Sequence, residues 1–153
     1  MIDFVFRWAT PLRLRLQERE QLHLQLVEAM DIWQQTVNRL ARCREARSAV
    51  TDRLRSLRRA GRVDLHALRR QYLRRASLDQ QILMLEREAG CRYQRLEVCR
   101  GAFREAERAV RALQKLRSRE TERRQGQQQE SEMEQLDQSG ATSWLARRMT
   151  EDA

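Results

Sequence analysis

The side chains that most often carry chemistry are few in this chain of 153 residues, and their spacing suits little chemistry. Cys43, Cys91 and Cys99 are an odd number, and Cys91 and Cys99 would lie about 12 Å apart along one helix. That is too far for a disulfide and lacks zinc-site spacing. They read as free thiols packed as small hydrophobes in a reducing cytosol. His23 and His66 stand alone and read as solvated. The glycines at 61, 90, 101, 126 and 140 are isolated. The sole lysine, Lys115, falls inside a helical pattern, so no phosphate-cradling loop is present. Glu86, Glu88, Glu105 and Glu107 each have arginines within a few residues, as on a salt-bridged, solvated face. No catalytic, cofactor or metal site and no small-molecule substrate is expected.

Arginine is the residue left to explain. It supplies nearly all of a net charge of +9, and it recurs in pairs: Arg58-Arg59, Arg69-Arg70, Arg74-Arg75 and Arg123-Arg124. By segment the balance is about +5 over 1–60, +8 over 61–124 and −4 over 125–153. A basic body with an acidic end could meet nucleic acid, an anionic membrane or an acidic protein surface. A nucleic-acid binder would gather its arginines on one face beside stacking aromatics. Here they are interleaved with acids, and the aromatics mostly fall in an apolar stripe, which makes nucleic acid the less favoured partner.

The elements that carry these residues are helical. Charged residues make up 35% of the chain and aromatics 5%, with one proline. That excludes an ordinary two-layer globule and favours long helices. Thr10-Pro11 reads as a helix start, with Thr10 as cap and Pro11 in the first turn. Leu26, Met30, Trp33, Val37 and Leu40 recur at coiled-coil spacing. The stripe continues through Cys43, Ala46, Val50, Leu54 and Leu57, with a phase slip near Cys43. Gly61 reads as a left-handed helix terminator and Asp64 as the next cap, with Val63 and Leu68 as a hydrophobic staple. A second stripe follows through Leu65, Leu68, Tyr72, Ile82, Leu85, Ala89, Tyr93, Leu96, Cys99, Phe103, Ala106, Val110 and Leu113, interrupted by Arg75 and Asp79.

The expected fold is therefore all-α, a long antiparallel two-helix coiled-coil hairpin. One helix spans about 11–60, the turn about 61–64 and the second helix about 65–124. Residues 1–124 form the hairpin domain, and 125–153 a polar tail, partly helical or disordered. Helix two outruns helix one or pairs with the segment holding Phe4, Phe6 and Trp8. In the tail, Trp144, Leu145 and Met149 gather on a helical turn. No signal peptide and no membrane span is expected. Tyr72, Leu73, Ala76, Leu78 and Ile82 are more apolar residues than one stripe needs. They either wrap around helix one or form a docking patch.

Three stretches give the chain a resemblance to the flagellar FliJ family, soluble components of the flagellar type III export apparatus. They are "FVFRWATPLRLRLQEREQL" (4–22), "GRVDLHALRRQYL" (61–73) and "LQKLRSRETERRQGQQQESEMEQLDQ" (113–138). Together with the chain length, the likeness covers nearly the whole sequence. The preference for Arg over Lys and the "SWLARRM" segment depart from the family pattern. The resemblance implies a non-enzymatic, stalk-like coiled coil that inserts into the export ATPase hexamer (FliI-like) and promotes its assembly and activity. It also implies contact with the ATPase regulator (FliH-like) and the membrane export gate (FlhA-like), and escort of empty export chaperones. The setting would be cytoplasmic, peripheral to the cytoplasmic face of the membrane. Carried over, the ATPase-facing candidates are Arg13, Arg15, Arg19, Arg117, Arg119, Arg123 and Arg124. The gate-facing candidates are Tyr72, Leu73, Ala76 and Leu78. An injectisome stalk or a generic coiled-coil scaffold is the alternative, and a basic helical nucleic-acid binder a more distant one.

Overall fold

The structure is a computed structural model that describes residues 7–151, with side chains through Trp144. Phe4, Phe6, Leu145 and Met149, named above, have side chains outside that description. Two helices account for nearly all of it: α1, Ala9–Arg59, and α2, Leu65–Glu151, packed against each other as an all-α hairpin.

Helix α1 begins two residues earlier than Thr10-Pro11 suggests. The Trp8 carbonyl accepts the first helical bond, from the Leu12 amide at 2.9 Å, so Trp8 occupies the cap position. Pro11 still sits in the first turn, where a missing amide hydrogen costs nothing. At the far end Arg58 and Arg59 place positive charge on the last turn, where the helix dipole favours it.

The turn differs from expectation in one respect. Among the described residues none, glycine included, has a positive φ, so Gly61 is not a left-handed terminator. The helix instead ends with the Ala60 amide bonded to the Ser56 carbonyl at 3.2 Å. The restart depends on Asp64. One of its carboxylate oxygens accepts the His66 amide at 2.9 Å and the Ala67 amide at 3.2 Å. Its carbonyl accepts the Leu68 amide at 3.0 Å. Two orphan donors of the first turn are thereby satisfied.

Helix α2 runs on to Glu151, well past the expected end near 124. The Gln- and Glu-rich sequence beyond 124 is made of good helix formers. Gly126 and Gly140 are single glycines without a neighbouring proline, and each lowers helicity without ending the helix. From Gln125 to Trp144 every residue is exposed except half-buried Gly126.

The described residues form two compact units. In the unit of Gln17–Glu107, the buried face of α1 is two seven-residue rows. One is Arg19, Leu26, Trp33, Leu40, Arg47 and Leu54; the other is Leu22, Ala29, Thr36, Cys43, Val50 and Leu57. All are buried or half-buried except Arg47. The heptad is unbroken, so the phase slip near Cys43 is absent. Ala29 and Thr36 occupy the seam, while Met30 is 48% exposed and Val37 only half-buried.

Helix α2 behaves in the same way. Its rows are Leu68, Arg75, Ile82, Ala89, Leu96 and Phe103, and Gln71, Leu78, Leu85, Arg92, Cys99 and Ala106, all buried or half-buried. Arg75 continues the seam instead of interrupting it. Gln71 and Arg92 replace Tyr72 and Tyr93, which are 40% and 45% exposed, and Leu65 is exposed as well. Long arginine stems cover apolar surface while their charged ends reach water, which lets Arg75 and Arg92 fill such positions.

Contacts across the hairpin descend along α2 as they rise along α1. His23 meets Phe103 with ring centroids 5.4 Å apart, and Trp33 meets Tyr93 at 5.8 Å. Leu40 packs with Ile82 and Leu85. Arg44 pairs with Glu86 at 2.7 Å and Arg47 with Asp79 at 3.2 Å. In the other unit, Leu12 packs on Val110, flanked by Leu16 and Leu113.

Candidate partner-binding surfaces

Asp64 starts α2 and so sets the phase of every side chain that follows it. At about 100° per residue, Leu65, Tyr72, Leu73, Ala76 and Leu83 fall within roughly 100° of arc. All five are exposed. Leu78 points elsewhere and belongs to the half-buried seam. Three of the four gate-facing candidates thus share an apolar face, and Leu65 and Leu83 extend it. Both could have been found from their separation of seven from Tyr72 and Ala76.

Tyr72 is held in place from α1. The Arg58 guanidinium lies 5.6 Å from the Tyr72 ring centroid and also donates a hydrogen bond to its hydroxyl. This cation–π and hydrogen-bond pair fixes the ring at the edge of the seam. Arg58 was not among the expected site residues; its position fourteen residues before Tyr72, across a short turn, was the available signal.

The carboxyl of Asp64 lies below its ordinary value, chiefly because the Ala67 amide donates to its charged form. Desolvation, the next largest effect, opposes it, while the His66 amide and the positive charge of Arg70 act in the same direction as Ala67.

The arginine candidates do not form one patch. Arg13, Arg15, Arg117, Arg119, Arg123 and Arg124 lie in one unit and Arg19 in the other. On α2, Arg117 and Arg124 are seven residues apart on one face, while Arg119 and Arg123 share a different face. Arg124 pairs with Glu120 at 3.8 Å. Six of the seven are exposed, but Arg19 is half-buried in the seam row. It therefore has a packing role that the other six lack.

One polar group lies inside the seam. Thr36 is fully buried, and among the described residues it is the one polar side chain so enclosed. Its hydroxyl donates to the Ile32 carbonyl at 3.0 Å and accepts from Arg92 Nη1 at 2.9 Å. Arg92 also pairs with Glu88 one turn earlier. The layer is fully satisfied, as a buried polar group must be.

Among the described residues no three metal-ligating side chains come together, and no helix is long and apolar enough to cross a membrane. Cys43 and Cys99 are half-buried free thiols, and Cys91 is an exposed one. Comparison with protein-family models, curated proteins and solved structures finds no significant match to this chain.

Proposed function

We propose that the chain is a non-enzymatic stalk and chaperone-escort protein of a flagellar type III export apparatus. In this reading it inserts into the export ATPase ring, cooperates with the ring's regulator, and links the ring to the membrane export gate. The observation that carries the reading is the fold-back after Arg59, which joins two long helices. It falls at one of the three stretches that carry the family likeness, residues 61–73.

The two surfaces suit the two expected partners. A stalk inside a ring meets several subunits at once, so exposed arginines on more than one face of a helix serve it better than a single hot spot. They would complement an acidic channel lining. The face of Leu65, Tyr72, Leu73, Ala76 and Leu83, with Arg69 within its arc and Arg58 beside it, suits an apolar pocket with acidic groups on the gate. Membrane association would then be peripheral and depend on the gate.

The test is a pull-down and hydrolysis assay with the purified export ATPase. The chain is expected to be retained and to raise the hydrolysis rate. Reversing Arg13, Arg117, Arg119 and Arg123 to Glu is expected to abolish both effects without loss of helicity. Arg19 is left intact because it packs in the seam. No retention, or stimulation indifferent to the charge reversal, would rule the reading out.

A further inference from the structure

The two sides of the hairpin in Gln17–Glu107 are electrostatically unlike. One side carries the cross-helix ion pairs Arg44–Glu86 and Arg47–Asp79. On the other, residues 39, 42, 46, 49 and 53 recur at spacings of 3, 4, 3 and 4, so they line one face of α1. There the seam carries an interrupted groove of two concavities, one with Cys43, Met84 and Leu85 among its lining residues and the other with Ala46 and Ala49. Its rim carries Arg39, Arg42, Arg53 and Arg74, all exposed. None of these four guanidinium groups has an ion-pair or hydrogen-bond partner among the described residues. The one acid on the rim, Glu88, is already engaged by Arg92.

The chain contains a complementary segment. Residues 130–137 of α2 read ESEMEQLD, with no basic residue between Arg124 and Arg147. Glu130, Glu132, Glu134 and Asp137 are exposed, and Met133 and Leu136 are 68% and 70% exposed. At about 100° per residue Met133 and Leu136 share a face, with Asp137 and Glu130 on one flank and Glu132 on the other. An apolar ridge between acidic flanks is the shape and charge that the groove lacks. Four unpaired guanidinium groups face three flanking carboxylates, Glu130, Glu132 and Asp137, with Glu134 further round the helix. From residue 39 to residue 53 this face runs about 21 Å along α1, and the eight residues 130–137 span about half of it, so the long arginine side chains at its two ends must reach inward to the carboxylates.

We propose that this groove binds the acidic helical segment 130–137 of a second copy of the chain. Met133 and Leu136 lie on the groove's alanine and Leu85 floor, and the carboxylates meet Arg39, Arg42, Arg53 and Arg74. The contact uses different surfaces on the two copies, so it is heterologous and need not stop at two. It is independent of any role in export.

Sedimentation of the full chain across a concentration series at low salt tests it. The expected result is mass that grows with concentration beyond that of a dimer. Raising the ionic strength shortens the Debye length from about 10 Å at 0.1 M to about 3 Å at 1 M and should return the chain to monomer. Two neutralised variants supply the decisive arm. One replaces Arg39, Arg42, Arg53 and Arg74 with Gln. The other carries Glu130→Gln, Glu132→Gln, Glu134→Gln and Asp137→Asn. Each should remain helical by circular dichroism and be monomeric alone, with apparent affinity reduced at least about tenfold, the change expected for loss of about 1.4 kcal/mol. Mixed in equal amounts they should form a 1:1 pair and nothing larger, because one contributes only an intact segment and the other only an intact groove. A wild-type chain that stays monomeric throughout the series would overturn the proposal, and so would association that survives in either variant.

Discussion

Replacing Thr36 with Val tests what the buried polar layer does. Thr36 is fully enclosed and its hydroxyl makes two hydrogen bonds, to the Ile32 carbonyl and from Arg92. Each is worth about 0.5–1.5 kcal/mol net. The one to Arg92 lies at the low end, because that side chain is 35% exposed and keeps Glu88 as a partner. Valine puts a methyl group in place of the hydroxyl, a gain of about 0.8 kcal/mol. No buried group is stranded, since Ile32 remains within the helical ladder and Arg92 can reach water. The two effects nearly cancel, so stability should change by less than about 1 kcal/mol. The loss should be in uniqueness, because a polar group inside a heptad seam disfavours other registers. Urea unfolding of Thr36→Val, Arg92→Leu and the double variant forms a cycle whose coupling should be about 0.5–1 kcal/mol. A loss above about 2 kcal/mol for Thr36→Val, or zero coupling, would mean that the layer is not built as described.

Three further outcomes follow from the same packing. Leu96 has no exposed surface, and Leu96→Ala should cost about 2–5 kcal/mol, while Val98→Ala, 73% exposed, should cost under about 0.5 kcal/mol; equal losses in urea unfolding would refute the register. Gly61 has no positive φ and open space at its missing Cβ, so Gly61→Ala should keep the fold and add about 0.4–1 kcal/mol; destabilisation would restore the left-handed terminator. Because the folded carboxyl of Asp64 lies below its ordinary value of 3.8, its contribution is complete above that value and is lost as pH falls through the lower, folded one. Acid titration of helicity should therefore show a steeper loss in the wild type than in Asp64→Ala, and parallel curves would remove the cap from the account.

Much of the architecture was legible in the sequence because helix stops, caps and a seven-residue rhythm are local signals. Gly61 and Asp64 marked the break, and Asp64 caps α2 as its position suggested. The register was less legible, for a physical reason. Met30, Val37, Tyr72 and Tyr93 are each more apolar than the neighbour that sits deeper in the seam. A two-helix seam is narrow, and small or long-stemmed residues such as Ala29, Thr36, Gln71 and Arg92 fill it well. The phase was nevertheless present in the separations of seven among Leu26, Trp33 and Leu40 and among Cys43, Val50 and Leu57. Carried back toward the N-terminus, that rhythm arrives at Thr36 and Ala29. The end of α2 was not legible because a polar stretch reads as a fraying tail, whereas Gln and Glu are good helix formers and α2 runs on to Glu151. Of the candidate surface residues, Leu78 and Arg19 are half-buried in the seam rows, a phase that residue type alone does not reveal.

The fold-back itself is best tested by a cross-link. Cys43 Sγ lies 3.9 Å from Gln81 Oε1 on the opposing helix. In a chain with Cys91→Ser and Cys99→Ser, Gln81→Cys should be joined to Cys43 within one chain by a short bis-maleimide at low protein concentration, running as a cross-linked monomer. Failure to cross-link, or cross-linking only between chains, would mean that α1 and α2 do not lie side by side in this register.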